Sequence, residues 1–405
     1  MEDMHRRITL FFQSLLILVF SLSGSLNAST NETIQKIRQL VQNGSVMLND
    51  ENGSALIAIN PDSLYLPASI LKVLTAQIAL DLLGPDFRFK TECYTNSNSD
   101  LIIKGYGDPF LVSDEIRLLA QALKKKGLTR INRLILDRSY FAEDLTIPGI
   151  STTSNPYDAL NGALVVNFNT INVGKDASGT VYSAEKETPL TPLAIAKAVS
   201  FPAGSKQRIN LSANREDCSR YAGELISTIF REQGIEIVDS STDEAKVGNN
   251  RKPYLTYLNS RPLTEVLKGL LKYSNNFIAN QIFLTIGARE KNDPATMQKS
   301  GMVFEEYIRE KLNIREDQLK MVEGSGISRD NKISGRVMLS IMERFKPNVA
   351  LLSNKNGNPV KSGTLHGVSN YAGFIRTASG LRPFVIILNQ EKANRDTVMK
   401  LLGQF

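Results

Sequence analysis

Residues 67–83 read PASILKVLTAQIALDLL, and a Gly-Pro pair follows directly at 84–85. The run 70–83 is apolar on nearly all sides, which is typical of a helix at the centre of a domain. Glycine followed by proline is a common end for such a helix. The sequence therefore predicts a buried helix with Ser69 and Lys72 at its start.

The spacing of Ser69 and Lys72 predicts nucleophilic chemistry at this helix start. Residues three apart lie on the same face of a helix, so the ammonium can reach the hydroxyl. A buried lysine near other cations loses basicity and can act as a neutral base. The helix start also offers backbone N–H groups to an oxyanion. The same S-x-x-K pattern recurs at 183–186, in a polar stretch that we predict to be an exposed loop.

The histidine count excludes several other mechanisms. The chain contains two histidines, His5 and His366. An H-E-x-x-H zinc motif is therefore impossible, and a Ser-His-Asp triad could use only His366 once the N-terminal segment is removed. No G-x-x-x-x-G-K-[ST] phosphate loop is present. We expect neither a metal nor an organic cofactor.

A second polar motif is Ser-Asn-Asn at 274–276, at the start of a predicted helix over 275–289. One interpretation makes Ser274 simply the N-cap of that helix. The functional interpretation places the Ser274 hydroxyl and the Asn276 amide beside the Ser-Lys pair. The S-x-N pattern also occurs at 212–214, so the tripeptide alone has little specificity.

A third motif is Lys-Ser-Gly-Thr at 361–364, which precedes two predicted strands at 371–377 and 383–389. A strand at the edge of a cleft could bind an extended peptide through main-chain hydrogen bonds. Lys361 would supply a positive charge for a substrate carboxylate, and Gly363 would allow a close approach. A competing K-S-G at 299–301 is followed by no strand pattern.

The order of the three motifs is typical of β-lactamases and penicillin-binding proteins. The chain resembles the peptidase S13 family, the D-Ala-D-Ala carboxypeptidases of the penicillin-binding-protein-4 type. Further segments carry the resemblance over nearly the whole chain after residue 28: KGYGDP at 104–109, DRS at 137–139, the helix at 273–281, and EGSGISR at 323–329.

The resemblance implies roles for individual residues. Ser69 would form the acyl-enzyme and Lys72 would accept its proton, while Ser274 and Asn276 would return a proton and hold the substrate amide. The residues expected to contact substrate are Lys361, Ser362, Gly363, Thr364, Asp137 and Arg329, with the Thr364 N–H also facing the oxyanion. This chain departs from the family pattern at three positions: Asn275, Glu323 and Ser362 stand where the family has Asp, Asp and Thr.

The predicted fold is α+β. We expect a β-lactamase/transpeptidase-like catalytic domain, an antiparallel sheet with helices, formed by residues 29–88 and 260–405. Residues 89–259 alternate short strand-like runs with helical pieces and are predicted to form one or more inserted accessory domains.

Residues 1–28 have the layout of a secretory signal peptide: a basic cluster at 5–7, an apolar run at 8–22, and small residues ending at Ala28. An uncleaved membrane anchor is the alternative. Export predicts a periplasmic or other extracytoplasmic location. Cys93 and Cys218 could pair in such an oxidising compartment, but the sequence leaves their pairing open.

The net charge of +7 suits anionic surroundings such as cell-wall polymers or lipid headgroups, which would allow peripheral membrane association. Nucleic-acid binding is the rival interpretation. Tryptophan is absent, basic residues are scattered, and the cluster Lys124 to Lys126 before Gly127 is typical of a helix C-terminus. We therefore expect no nucleic-acid partner.

These observations predict a serine-type D-Ala-D-Ala carboxypeptidase, with endopeptidase activity as an open addition. The expected partners are peptidoglycan stem peptides, with β-lactams as covalent inhibitors. Two alternatives remain at this stage. The first is a β-lactamase, and the second is a non-catalytic wall-binding protein on the same fold.

Overall fold

The computed structural model describes residues 30–211, 214–248 and 251–405. The predicted signal segment and two residues of the S-x-N at 212–214 lie outside these ranges. The helices in the described residues are α1 (30–40), α2 (Lys72–Leu83), α3 (Ser113–Lys125), α4 (Pro192–Ala198), α5 (Arg215–Glu232), α6 (Leu263–Tyr273), α7 (Asn276–Lys291), α8 (Met297–Lys311), α9 (Gly335–Phe345) and α10 (Arg395–Leu402).

The strands, in chain order, are short in the middle of the chain and longest near its C-terminus. They are β1 (Gly44–Asn49), β2 (Ala55–Ile59), β3 (Leu64–Tyr65), β4 (Lys90–Thr95), β5 (Leu101–Gly105), β6 (Arg130–Ile131), β7 (Leu134–Asp137), β8 (Thr170–Lys175), β9 (Val181–Ser183), β10 (Lys206–Asn210), β11 (Glu236–Ile237), β12 (Thr242–Glu244), β13 (Leu255–Leu258), β14 (Leu319–Lys320), β15 (Lys332–Ser334), β16 (Ser353–Lys355), β17 (Asn358–Leu365), β18 (Val368–Arg376) and β19 (Leu381–Leu388).

The largest sheet joins both ends of the chain. Its strand order is β16-β17-β18-β19-β1-β2, and neighbouring strands are antiparallel. The pairing of Met47 with Val385 joins the N-terminal part of the sheet to its C-terminal part. The predicted antiparallel sheet made from both ends of the chain is therefore confirmed.

Helices cover both faces of this sheet. One face packs against α2, α7 and α9 in the largest apolar cluster, which includes Leu74, Ile282 and Met338. The other face packs against α1 and α10 through Ile37 and Val398. All residues from Lys72 to Ala79 of α2 are buried, so the predicted central helix is confirmed.

Residues from the middle of the chain form another apolar core. A sheet of order β12-β7-β5-β4-β13 packs with α3 and α5, and the cluster includes Leu101, Leu119 and Phe230. Cys93 on β4 and Cys218 on α5 are both buried in it, and both are free thiols. The pairing that the sequence left open is therefore absent.

Residues from the middle of the chain contact α7 close to its first turn. Asn161 Nδ2 donates to Phe277 O at 2.9 Å and to Gln281 Oε1 at 3.0 Å, and Asn276 Nδ2 donates to Tyr157 O at 3.4 Å. Elsewhere in the middle of the chain, α3 ends at Lys125 and Gly127 adopts a φ of +92°, which confirms the predicted helix end. Across the described ranges, no helix combines the length and apolar character needed to cross a bilayer.

Candidate active site

Ser69 lies in a 3-10 turn, residues 68–71, that leads directly into α2. Strand β17 passes close against this turn. A Cβ atom at Gly363 would lie 3.0 Å from the backbone nitrogens of Ser69 and Ile70 and 2.9 Å from Pro67 O. Such distances are tighter than ordinary contacts, so glycine is required for the strand to approach the serine.

Two asparagines hold the chain just before the serine. Asn370 on β18 donates through Nδ2 to Leu66 O at 2.9 Å and to Pro67 O at 2.8 Å, and its Oδ1 accepts from Leu388 N at 3.0 Å. Asn389 accepts from Leu66 N at 2.7 Å. Neither residue lies in one of the sequence motifs. The available signal was two adjacent polar residues, Ser369 and Asn370, directly before the predicted strand at 371–377.

Lys72 is fully buried and makes three hydrogen bonds through its Nζ atom. The acceptors are Ser69 Oγ at 2.8 Å, Asn276 Oδ1 at 2.8 Å and Ser325 O at 2.7 Å. Burial, and next the positive charge of Lys361, hold the pKa of Lys72 well below its usual value, against an opposing effect of Glu323. The geometry therefore places a weakly basic amine against the serine hydroxyl.

The carboxylate of Glu323 organises the loop that supplies one of these acceptors. It is fully buried and accepts from Ser325 N at 2.7 Å, Gly326 N at 2.6 Å, Asn280 Nδ2 at 3.0 Å and Asn331 Nδ2 at 2.7 Å. Buried charges are tolerated when hydrogen bonds satisfy them in this way. Glu323, the first residue of the EGSGISR segment, is thus part of the hydrogen-bond network of the site.

Ser274 joins α6 to α7 and adopts a left-handed conformation, φ 53° and ψ 38°. The prediction that Ser274 is an N-cap is wrong, because Asn275 caps α7 by accepting from Ile278 N at 3.0 Å. The Ser274 hydroxyl instead accepts from Lys361 Nζ at 2.8 Å. Left-handed backbone is costly for a non-glycine residue and is concentrated at functional sites.

Lys361 is almost fully buried on β17. Burial, and next the positive charge of Arg395, lower the pKa of Lys361 to about 8. Arg395 lies at the start of α10. It donates through Nη1 to Thr364 Oγ1 at 2.9 Å, to Gly363 O at 3.1 Å and to Asn370 O at 3.3 Å. Sequence patterns did not point to Arg395, since it lies near the chain end, away from every motif.

The motif-bearing part of β17 has an open edge. Strand β16 pairs only with residues 358–360, while β18 pairs with 360–365 on the other side. Residues 361–365 therefore have no strand partner on the β16 side among the described residues. An open edge can accept an extended peptide as an additional strand.

The two remaining predicted contact residues lie in different places. Arg329 donates through Nη2 to His366 O at 2.6 Å, directly beyond the end of β17. Asp137 lies buried at the end of β7, where it accepts from Ser139 N at 2.9 Å and from Val247 N at 2.8 Å, with Lys104 Nζ at 3.6 Å. No contact within the described ranges joins Asp137 to the Ser69 site.

The competing motifs are not built in the same way. Ser183 ends β9 and donates to Glu185 O at 2.9 Å, with no hydrogen bond to Lys186 among the described residues. The K-S-G at 299–301 lies inside α8. The described residues also contain no group of three or more His, Cys, Asp or Glu side chains that could hold a metal ion.

Comparison with known families agrees with this arrangement. The model of the D-Ala-D-Ala carboxypeptidase 3 (S13) family matches residues 26–196 and 168–360, which is most of the chain. The chain belongs to the S13 peptidase family. The resemblance inferred from the motifs is therefore confirmed.

Curated relatives of this S13 peptidase extend over nearly its whole length. It is 27% identical to the D-alanyl-D-alanine carboxypeptidase DacB of Haemophilus influenzae, over 93% of this chain and 91% of that protein. It is 24% identical to the penicillin-sensitive carboxypeptidase A of Dictyostelium discoideum, over 86% of this chain and 82% of that one.

Solved structures share the fold. Penicillin-binding protein 4 of Haemophilus influenzae aligns with a TM-score of 0.72 at 22% identity, covering 92% of this chain and 98% of that one. The peptidoglycan endopeptidase Bd3459 of Bdellovibrio bacteriovorus aligns with a TM-score of 0.53 at 18% identity, covering 89% and 90%. The predicted α+β, transpeptidase-like fold class is confirmed.

Replacing Asn370 with alanine is expected to lower both stability and acylation rate. The change leaves Leu66 O, Pro67 O and Leu388 N without these partners, at a cost of about 2 kcal/mol in the free energy of unfolding. Ser69 should also be acylated about tenfold more slowly, because the turn that carries it is less well oriented. Denaturant unfolding and stopped-flow acylation measure the two effects. Asn31→Ala, at an exposed position of α1, is the control. An unchanged acylation rate in Asn370→Ala would refute the positioning role of Asn370.

Proposed function

We propose that this chain is a serine-type D-alanyl-D-alanine carboxypeptidase that acts on peptidoglycan stem peptides and binds penicillin covalently. The observation that carries the proposal is the 2.8 Å hydrogen bond between Ser69 Oγ and Lys72 Nζ, made by a lysine whose pKa burial has lowered. This pair activates a nucleophile without histidine. Membership of the S13 family supports the same reaction.

The first half of the reaction acylates the enzyme. Lys72 accepts the Ser69 proton while Oγ attacks the carbonyl carbon of the penultimate D-alanine. The backbone N–H groups of Ser69 and Thr364 face the developing oxyanion. The C–N bond then breaks, and the amine of the terminal D-alanine receives a proton through the Ser274 hydroxyl. The products of this step are an ester on Ser69 and free D-alanine.

The second half releases the shortened peptide. A water molecule attacks the ester carbonyl, Lys72 accepts its proton, and the Ser69 oxygen leaves and is reprotonated. The same chemistry on a β-lactam opens the ring and leaves an acyl group attached to Ser69. One relative is described as penicillin-sensitive, and the endopeptidase Bd3459 has been obtained in penicillin-acylated form.

The remaining residues bind the substrate in this proposal. Lys361 and the Ser362 hydroxyl engage the terminal carboxylate, while the Asn276 amide and the open edge of β17 hold the peptide backbone. Arg329, beside the end of β17, contacts the stem peptide further from the scissile bond. Asp137 is proposed to contact substrate from within the insert.

Endopeptidase activity on cross-linked peptides is proposed as an additional reaction. The open edge of β17 can receive an extended chain from either side of the scissile bond, and the fold is shared with Bd3459. A β-lactamase is the competing function. It differs from a carboxypeptidase in the lifetime of the acyl-enzyme, which makes that lifetime the deciding measurement.

Domain limits and location are part of the same proposal. We assign residues 29–88 and 260–405 to the catalytic domain and 89–259 to the insert, supported by an apolar core whose members all lie within 89–259. Residues 1–28 are proposed to direct export to the periplasm or the outer face of the cytoplasmic membrane. The positive net charge supports peripheral association with anionic headgroups or wall polymers.

The proposal is tested by fluorescent-penicillin labelling of protein lacking residues 1–28, followed by peptide mass mapping. We expect one covalent adduct, on the peptide that contains Ser69, and a lifetime long enough to isolate it. Rapid release of the adduct with repeated turnover would indicate a β-lactamase. A folded protein that forms no adduct would support a non-catalytic wall-binding role instead.

The rate of acylation by D-Ala-D-Ala peptides should fall on the alkaline side as pH rises through about 8. Lys361 must be protonated to attract the substrate carboxylate, and its pKa is lowered to about 8, so its charge is present below that pH and lost above it. Measurement of kcat/KM across this range tests the expectation. In Lys361→Arg the alkaline limb should disappear, because a guanidinium stays charged. Lys355→Gln, on β16, should keep the limb; an unchanged limb in Lys361→Arg would assign it to another group.

A further inference from the structure

A cavity of about 420 Å³ lies away from the serine site, where the first strand of the insert meets α7. Thr285 and Arg289 of α7 line one side, and Lys90 and Tyr106 line the other. Thr285 follows Asn276 by nine residues, which corresponds to about 14 Å along the helix axis. The cavity is therefore separate from the site where the reaction takes place.

The charged residues that line this cavity are all cations. They are Arg88, Lys90 and Arg289, and no carboxylate lies among the lining residues. Lys90 pairs with Glu92 at 2.8 Å. Arg88 donates only to main-chain carbonyl groups, including Asn259 O at 2.8 Å, and Arg289 forms no ion pair within the described residues. Two guanidinium groups at the cavity therefore lack a carboxylate partner.

Thr285, on the cavity wall, carries a buried hydroxyl. The Thr285 side chain is 3% exposed, and its Oγ1 has no hydrogen-bond partner in the described structure. Buried hydroxyl groups nearly always have a partner, so this one requires an explanation. A Cβ at Gly107, whose φ is +79°, would lie 2.6 Å from this oxygen. A side chain at position 107 would therefore collide with this oxygen.

Aromatic and aliphatic groups form the rest of the wall. The rings of Tyr106 and Tyr140 lie 4.7 Å apart, the Arg289 guanidinium lies over the Phe87 ring at 5.1 Å, and Leu258 is 53% exposed at the rim. Guanidinium groups bind carboxylates through two parallel hydrogen bonds. Apolar rings cover the hydrocarbon part of a sugar or peptide. Together they suit a ligand that is anionic at one end and has C–H surface at the other.

We propose that this cavity binds a carboxylate-bearing segment of the peptidoglycan strand and so anchors the polymer while a stem peptide reaches Ser69. The identity of the polymer rests on the proposed function, whereas the preference for a carboxylate rests on the cavity itself. The carboxylate can belong to the lactyl group of a peptide-free glycan or to a stem peptide. The volume suits a single sugar unit or a dipeptide.

The test uses the Ser69→Ala protein, which cannot turn over its ligand. Calorimetry measures its binding to soluble uncross-linked strands, to peptide-free glycan strands, and to the free stem peptide. Arg289→Gln and Thr285→Val, each added to Ser69→Ala, should weaken binding of the strands by about tenfold, because each removes a hydrogen bond to the carboxylate segment. Binding retained by the glycan identifies the lactyl carboxylate, and binding retained by the peptide identifies the stem.

Controls separate this proposal from the proposed function. Arg309→Gln, at an exposed position of α8, should leave strand binding unchanged. Placed in the otherwise native enzyme, Arg289→Gln and Thr285→Val should keep the penicillin acylation rate, since neither lies near Ser69, and Thr285→Val should not lower thermal stability. Equal strand binding in all variants would overturn the anchoring site even if penicillin labels Ser69. Failure of penicillin labelling would remove the proposed function without altering the binding result.

Discussion

Replacing Ser69 with alanine is expected to abolish covalent penicillin binding and to lower kcat for D-Ala-D-Ala peptides by about 10⁴-fold or more. The change removes the hydroxyl oxygen that we propose forms the acyl ester, and the remaining oxyanion donors cannot replace it. The fold should survive, because the Ser69 hydroxyl contacts Lys72 while the preceding chain is held independently by Asn370. Mass spectrometry after incubation with penicillin and circular dichroism measure the two outcomes.

A matched control exists within the chain. Ser183 begins the other S-x-x-K pattern, but it ends a strand and donates a hydrogen bond to Glu185 O. The Ser183→Ala enzyme should therefore be acylated at the native rate. Full peptidase activity in Ser69→Ala would show that the reaction uses another nucleophile. Loss of activity in Ser183→Ala would show that the second pattern has a catalytic role.

Replacing Lys72 with alanine should reduce the acylation rate by about 10³- to 10⁴-fold. The reason is loss of the group that we propose accepts the Ser69 proton. Lys72→Arg should be almost as slow, because a guanidinium remains protonated and cannot act as a base. Pre-steady-state acylation by a chromogenic β-lactam measures both rates. Lys186→Ala, at the equivalent position of the second S-x-x-K pattern, should acylate normally.

The same residue predicts the acidic side of the pH profile. Burial and Lys361 hold the pKa of Lys72 well below its usual value, so the amine is neutral over more of the physiological range than an ordinary lysine. Above this lowered pKa, Lys72 is neutral and can accept a proton. The acylation rate should therefore fall as pH decreases through this pKa, because Lys72 becomes protonated. Native-like acylation in Lys72→Arg would rule out Lys72 as the base and assign proton transfer to another group.

Predictions made from local patterns were the most accurate. The apolar run 70–83 predicted the buried helix α2 because side-chain periodicity and the Gly-Pro end act within one helix. The spacing of Ser69 and Lys72 predicted their hydrogen bond for the same reason, since a single helical turn sets the distance. The two C-terminal strands were likewise visible as apolar runs separated by a turn.

Local patterns were misleading where a neighbouring element decides the conformation. Ser274 is a residue type that is common at N-caps, but Asn275 caps α7 instead. Ser274 adopts a left-handed conformation between α6 and α7. Its hydroxyl is free to meet Lys361, which lies 87 positions away in the chain. Asn370 and Arg395 were missed because their hydrogen-bond partners are also distant in the chain. The identity of one polar residue does not show which group it will hydrogen-bond.

The sequence by itself determined the family, the central helix, and the serine and lysine that it carries, because these depend on residue identity and on spacing within a turn. Only the tertiary structure decided how the site is closed. Lys72 bonds to Asn276 across 204 positions and to Ser325 O across 253, and Gly363 reaches the Ser69 turn through the register of β17 with β18. Such contacts arise when the sheet and helices pack together, and that packing also buries both lysines and lowers their pKa values.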